Sequence, residues 1–234
     1  MKIPNEEKRL RQFYGKVDDK HIHSFSRFLK GDKVLDIGTG LGSTTGYITN
    51  HYPEVSCLGV DMLEENIQKA KGFFPNAEFS VVNAEKMPFD NGAFTTIILR
   101  DVLHHLYEES DFDLVASEIK RVSSAGARLL ILDPNVQMML KFFRFISAHK
   151  DAECKFETAL ELLPKMGFTK KETTFHTLYS LPLSGGYVGV NFVPNIGFVQ
   201  KSILGSERFF EKALNSVGLG RYLCWRYLIV ADKI

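Results

Sequence analysis

Short apolar runs alternate with helically spaced stretches along the first two thirds of the chain. The runs, each four to seven residues long, predict buried strands over 33–37, 55–60, 77–82, 94–99 and 128–132. Of the stretches between the first runs, 43–50 follows a tight glycine turn and predicts the start of a helix. The stretch from 62 to about 73 predicts a second helix, with acidic residues in its first turn and lysines in its last. Strands that alternate with helices in this way indicate an α/β fold with a mainly parallel sheet.

The last third of the chain has a different pattern. It predicts helices over 136–148 and 152–166, a sixth strand over 171–180 and a last strand within 222–233. A further helix is predicted over 206–217, with Ser206 as its N-cap and Gly218 as its stop signal.

The first strand ends in a glycine-rich turn, VLDIGTGLG over 34–42. A strand, a glycine turn and a helix together bring backbone N–H groups up to a ligand. The spacing is G-x-G-x-G, and Asp36 precedes the first glycine by two residues. A carboxylate at the end of a buried strand needs donors or a cation. Asp36 either accepts from N–H groups of its own loop or faces a ligand that carries an ammonium group.

Polar residues also follow the next strands. Asp61 lies about 20 residues after the glycines, where a carboxylate suits a ribose diol. Asp61 can also cap the helix that follows it, and the two roles are compatible. Asn83 and Ala84 end the third strand, either to read an adenine edge or to form an ordinary turn. Arg100 ends the fourth.

Four segments in this order, VLDIGTGLG, GVDM, NAEKMPF and the fourth strand with LHHL, resemble the class I S-adenosylmethionine-dependent methyltransferases, and especially the group that includes quinone-biosynthesis enzymes. The resemblance covers roughly residues 30–134 and the last strand. It implies a Rossmann-like sheet of seven strands in the order 3-2-1-4-5-7-6, with the seventh strand antiparallel and helices on both faces.

The resemblance also implies a set of cofactor contacts. Asp36, Gly38, Thr39 and Gly40 would hold the methionine end, and Gly42 would close the turn. Asp61 would bind the ribose hydroxyls, and Met62 would lie against the adenine. Asn83 and Ala84 would read the adenine edge. Arg100 falls next to the methionine moiety, where the family more often has a small polar residue. The cofactor would be S-adenosyl-L-methionine (SAM), and the product S-adenosyl-L-homocysteine (SAH).

The domain organisation is predicted as one methyltransferase domain over 1–234, with an N-terminal helical cap over 1–30 and an insertion over 181–220. Tyr14 in the cap is a candidate contact. From Thr177 to Ser206 the only charged residue is Lys201. We interpret this uncharged stretch as a lid over the acceptor, with a dimer interface or simple packing on the sheet edge as alternatives. A peripheral membrane contact is a variant of the lid interpretation.

The predicted function is methyl transfer from SAM to an unidentified small acceptor of apolar or amphipathic character. His104 and His105 follow the fourth strand and are candidate general bases, with His105 placed nearer the pocket. The alternatives are a non-catalytic protein that binds SAM or SAH, and a NAD(P)-dependent reductase.

The composition limits the classes of partner and the location that we expect for this chain. The formal net charge is +1, which predicts no nucleic-acid partner. Three cysteines without metal-ligand or disulfide spacing suit a cytoplasmic protein, and no metal motif is present. The polar N-terminus is not expected to be a signal peptide, and no apolar run predicts a membrane span. The expected state is a monomer or homodimer.

Overall fold

The computed structural model describes residues 12–135, 154–185 and 191–234. The described residues divide into two compact units. The sheet unit contains 25–134, 154–173 and 228–234, and the helical unit contains 12–24, 135, 174–185 and 191–227. The predicted helix over 136–148 lies outside the described residues.

Seven strands form one mixed sheet in the order β3-β2-β1-β4-β5-β7-β6, which confirms the predicted fold class. The strands are β1 (Lys33–Ile37), β2 (Ser56–Asp61), β3 (Glu78–Val81), β4 (Phe94–Arg100), β5 (Ser123–Pro134), β6 (Phe168–His176) and β7 (Arg226–Lys233). The pairings among β1 to β5 are parallel.

Helices follow or connect these strands. They are α1 (Phe13–Ser26), α2 (Ser43–His51), α3 (Glu64–Phe73), α4 (Leu103–Glu109), α5 (Phe112–Val122), α6 (Phe156–Leu162), α7 (Ser180–Leu183), α8 (Gly197–Ser216) and α9 (Gly220–Leu223). Helix α5 is stabilised by a side-chain cap at its start and by a buried apolar face. Its Asp111 side chain accepts from the backbone N–H groups of Asp113 and Leu114, and Val115 and Ile119 are buried. No helix within the described ranges is long and apolar enough to cross a membrane.

The register of the central strands positions the candidate site. Ile37 at the end of β1 pairs with Val60 of β2 on one side and Leu99 of β4 on the other. Parallel strands in register end at the same edge of the sheet, so the residues that follow them converge there. Asp61 of β2 in turn pairs with Val81 of β3.

The helical unit has its own apolar cluster. Phe13 and Val17 of α1 pack with Leu181 and Val193, and Tyr14 lies against this cluster. Leu181 and Val193 of the uncharged stretch are therefore core residues that pack on α1, and the predicted packing on the sheet edge is not what this cluster shows. Whether the stretch also acts as a lid stays a prediction.

Helix α8 differs most from the prediction. It begins at Gly197 rather than at 206, and Ser206 lies inside it, where its hydroxyl donates to the Ile203 carbonyl. The large apolar side chains of Phe209 and Phe210 are exposed. The buried side chains are polar, namely Gln200, Glu207 and Glu211.

The physical reason is a lysine in the neighbouring helix. Lys20 of α1 is buried and pairs with both Glu207 and Glu211, the latter at 2.6 Å from Nζ to Oε1. Glu207 Oε1 also accepts from the backbone N–H groups of Leu178, Tyr179 and Ser180. These bonds turn the acidic face of α8 inward.

Smaller differences concern element boundaries. Strand β5 begins at Ser123, five residues before the predicted 128, and β6 covers Phe168–His176 instead of 171–180. Within 154–166, the described part of the helix predicted over 152–166, α6 covers Phe156–Leu162. The earlier start of β5 reflects its pairing with β4, where Phe94 meets Ser123 across an irregularity in the register.

Candidate cofactor site

The glycines of the turn between β1 and α2 serve different purposes. Gly38, Gly40 and Gly42 all have positive φ, at 69°, 55° and 82°. A Cβ on Gly38 would lie 2.2 Å from a methyl of Val102, and one on Gly42 would lie 2.6 Å from the Phe79 ring. A Cβ on Gly40 would meet nothing within 4 Å. The outer glycines are thus required by packing, whereas the middle one borders open space that a ligand can approach.

Asp36 lies beneath this turn and is almost completely buried. Its Oδ2 accepts from the hydroxyls of Thr39 at 2.7 Å and Thr45 at 2.8 Å. Burial raises the pKa of the Asp36 carboxyl, and the two threonine hydroxyls and the charge of Arg100 oppose that rise. The carboxylate therefore ties the turn to the first residues of α2. A direct contact of Asp36 with the methionine end stays a prediction.

Asp61 binds the turn from the end of β2. Its Oδ2 accepts from the Gly40 N–H at 3.0 Å, and its Oδ1 accepts from the Leu63 N–H at 2.9 Å and from Asn66 Nδ2 at 3.2 Å. The N-cap of α3 is Leu63, with no side-chain cap, so Asp61 holds the loop before the helix and Asn66 but does not cap the helix as predicted. Met62, next to Asp61, is 67% exposed. The exposed Met62 side chain suits the predicted contact with adenine, and the neighbouring Asp61 carboxylate suits the predicted contact with the ribose.

The segment after β3 is joined to the same place. The Val82 N–H donates to the Asp61 carbonyl at 3.0 Å, which brings Asn83 and Ala84 next to Asp61. Asn83 Oδ1 accepts from the Glu85 N–H at 2.9 Å, so the turn alternative is observed. Each amide oxygen has two lone pairs, and the second can still accept from an adenine amine.

The end of β4 closes the other side of the turn. Arg100 is half-buried, and its positive charge acts to lower the pKa of the Asp36 carboxyl. Asp101 has a φ of 57°, which is uncommon outside glycine, and its N–H donates to the Leu132 carbonyl. This bend directs Val102 onto Gly38.

The two histidines of α4 differ in their surroundings. His104 Nδ1 lies 3.0 Å from Oδ2 of the buried Asp133, at the end of β5. Burial would lower the pKa of His104, but the hydrogen bond and charge of Asp133, with the charges of Asp101 and Glu108, raise it. His105 is 55% exposed and lies 3.0 Å from Glu109 on the same helix. A catalytic role for His105 stays a prediction.

Three residues of this arrangement were missed by the sequence reasoning: Thr45, Val102 and Asp133. Asp133 had a detectable signal, because it follows a buried apolar strand as Asp36 and Asp61 do. Thr45 and Val102 had none, since a threonine in a helix and a valine in a loop are ordinary.

A family model described as a methyltransferase domain matches residues 28–177, more than half of the chain. The chain belongs to this methyltransferase family. The resemblance predicted from the sequence is therefore confirmed, and the similar proteins are SAM-dependent methyltransferases. SAM is the methyl donor of that class. The matched residues include every element that forms the glycine turn and the ends of β1 to β5.

Similar curated proteins share only part of their length with this chain. Ajmaline N-methyltransferase from Rauvolfia serpentina is 28% identical over 109 residues, 44% of this chain and 36% of that protein. The probable tocopherol O-methyltransferase of Oryza sativa is 27% identical over 109 residues, 44% of this chain and 29% of that protein. The chain thus spans about a third of the length of these relatives.

Solved structures match more of the chain. A SAM-dependent methyltransferase from Archaeoglobus fulgidus has a TM-score of 0.64 and 18% identity, and the match covers 93% of this chain and 94% of that one. Geranyl diphosphate C-methyltransferase from Streptomyces coelicolor, solved with SAH, has a TM-score of 0.65 and 13% identity, covering 98% and 85%. At such identities these matches establish the fold.

Proposed function

We propose that this chain transfers the methyl group of SAM to a small acceptor. The observation that carries the proposal is Gly40. A Cβ on Gly40 would meet nothing within 4 Å, so its backbone borders open space, and its N–H donates to Asp61. Asp61 offers a carboxylate suited to a diol, Met62 beside it is exposed, and the bond from the Val82 N–H to Asp61 brings the Asn83 amide next to them, a set that fits a nucleoside.

The residues around the turn fit the methionine end of SAM less directly than they fit its nucleoside. Asp36 is covered by Thr39 and Thr45 and would act on an ammonium group through the turn that it supports. The charge of Arg100 lies near the same carboxylate and suits the carboxylate of an amino acid. The sulfonium of SAM supplies the reactive methyl group, and the protein aligns the reactants and excludes water.

His104 is the proton acceptor that we propose in place of His105. A carboxylate accepts from Nδ1–H, so Asp133 holds the imidazole in the tautomer whose Nε2 is free of a proton. His104 is largely shielded from solvent, whereas His105 is not. A base of this kind is needed for a hydroxyl or ammonium acceptor, and not for every carbon acceptor.

The acceptor that we propose is apolar or amphipathic. The similar proteins named above act on an alkaloid, a tocopherol and geranyl diphosphate, according to their names. The uncharged stretch over 177–206 agrees with such an acceptor. We also propose a cytoplasmic location, since the three cysteines are free and buried.

The cofactor assignment is tested by thermal unfolding with SAH, NADH and NADPH. We expect SAH alone to raise the melting temperature, with about 2.7 kcal/mol of stabilisation at 100 times its Kd. Asp61→Ala should remove this shift. Because Asp61 also accepts from the Leu63 N–H and the Asn66 side chain before and within α3, Met62→Ser is the second variant, since the Met62 side chain is largely exposed. Asp32→Ala, on an exposed residue before β1, is the control. A shift by a nicotinamide alone would overturn the proposal.

Activity is tested with labelled SAM and a panel of quinols, prenyl alcohols, phenols and alkaloid amines. Methylation of any class identifies the acceptor chemistry. If SAH binds but no panel member is methylated by the purified chain, the alternative of a non-catalytic SAM- or SAH-binding protein is favoured.

A further inference from the structure

The outward face of α8 carries aromatic and basic side chains and no acidic ones. Phe198 and Phe209 are 81% and 71% exposed, and their spacing of eleven residues places them on one stripe of the helix. Small residues, including Gly205 and Ala213, lie on the same face. Soluble helices normally bury such aromatic positions, so this face is a candidate docking surface.

A basic stripe runs beside the aromatic one. Lys201, Arg208 and Lys212 are exposed, and their spacing of seven and then four residues aligns them along the helix. The two acidic residues of α8, Glu207 and Glu211, are buried against Lys20. Within 191–223, all of which the structure describes, every exposed charge is therefore positive.

The segments on either side continue this composition. Phe192 and Ile196 precede α8 and are exposed. Leu219, Tyr222 and Leu223 follow it and are exposed as well, together with Arg221, whose guanidinium lies 5.7 Å from the Tyr222 ring. Aromatic residues flanked by Lys and Arg are typical of helices that lie in the interface of a membrane.

We propose that α8 docks on an anionic membrane surface, with Phe198 and Phe209 inserted among the acyl chains and the basic stripe on the lipid phosphates. Charge complementarity favours this occupant over a second copy of the chain. In a symmetric dimer with α8 antiparallel to its copy the basic stripes would face each other, and in either orientation this surface, over 191–223, exposes no carboxylate to pair with them.

Vesicle flotation of the whole chain tests the proposal. We expect binding to vesicles of phosphatidylcholine mixed with phosphatidylglycerol, little binding to phosphatidylcholine alone, and release at high salt. Lys201→Gln, Arg208→Gln and Lys212→Gln together should weaken binding by roughly 100-fold. Phe198→Ser with Phe209→Ser should also weaken it.

Matched controls separate this face from the rest of the surface. Lys71→Gln, Lys155→Gln and Lys170→Gln remove three exposed charges elsewhere, and Leu114→Ser with Ile234→Ser remove two exposed apolar side chains. These controls should bind vesicles as the unmodified chain does. All substitutions are at exposed positions, and unchanged melting temperatures would confirm folding.

Two results would overturn the proposal. One is equal vesicle binding by the α8 variants and the controls, or no binding at all. The other is a dimer in analytical ultracentrifugation that Phe198→Ser with Phe209→Ser dissociates, because the face would then be an interface between copies.

Discussion

At the scale of single residues, the turn after β1 separates structural from binding glycines. Gly38 is closed off by Val102, while Gly40 has open space in front of it and gives its N–H to Asp61. The G-x-G-x-G pattern showed that the turn needs small residues. It could not show which glycine faces a ligand, because that depends on a valine some 60 residues away.

Alanine substitutions should distinguish the two glycines. Gly38→Ala places a methyl against Val102 and should lower both the free energy of unfolding, by about 3 kcal/mol or more, and the affinity for SAH. Gly40→Ala meets no atom, so it should cost only about 1–2 kcal/mol of backbone strain while still weakening SAH binding. Denaturant unfolding and calorimetry measure both quantities.

Adding Val102→Ala should partly restore the stability of the Gly38→Ala variant, since it removes the methyl groups that the new Cβ would meet. If Gly40→Ala binds SAH as tightly as the unmodified chain, the open space beside Gly40 is not the cofactor site.

The His104–Asp133 pair predicts a pH dependence. Asp133 raises the folded-state pKa of His104 above its usual value near 6.5, so the charged imidazole is favoured on folding. The stabilisation is complete below about pH 6.5 and is lost as the pH rises through the raised pKa. His104→Gln should therefore lower the free energy of unfolding more at about pH 5.5 than at about pH 8.5.

Urea unfolding at the two pH values measures this difference. His105→Gln is the matched control, because that imidazole is mostly exposed, and its effect should be small at both. If His104 is the base, turnover should rise with pH through the same raised pKa. An equal effect of both substitutions at both pH values would contradict the pairing.

At the scale of elements, the sequence reasoning succeeded where a pattern was local. β1 was predicted with its exact bounds in the structure, and α2, β2 and α3 to within two residues. Here the apolar runs and glycine punctuation agree with the packing. α8 failed because its buried face is decided by Lys20, which lies about 190 residues earlier in the chain. An ion pair of such separation leaves no periodic signal.

Lys20→Met should destabilise the chain by about 3–5 kcal/mol, since it leaves Glu207 and Glu211 buried without their cation. Lys16→Met is the control on the same helix, because Lys16 is exposed and bonds the neutral Gln200. Denaturant unfolding of the two variants measures the contrast. Equal stabilities would show that the buried ion pair contributes little.

At the scale of the whole molecule, the candidate cofactor residues all belong to the sheet unit, whereas Lys20 and α8 belong to the helical unit. The strand order of the sheet and the class of cofactor were predictable from the sequence, since both follow from motifs near the strand ends. The acceptor was not, because the regions expected to choose it have no motif.

Hydrogen exchange with and without SAH should reflect this division. We expect protection of backbone amides in 38–45, 61–66 and 82–86, where the turn and the strand ends lie. The amides of α8 should change less. Mass spectrometry of peptides provides the measurement, and stronger protection of α8 than of the turn would contradict the assignment of the cofactor residues.

The bonds from Asp36 and Asp61 to the turn have a consequence for kinetics. Because Thr39, Thr45 and Gly40 are held by the protein's own carboxylates, we expect the entropy of ordering the turn to be lost during folding and not during binding. Association with the nucleoside should then approach a single bimolecular step, without a slow phase that becomes independent of ligand concentration. Differences in affinity among variants of this turn should appear mainly as differences in residence time.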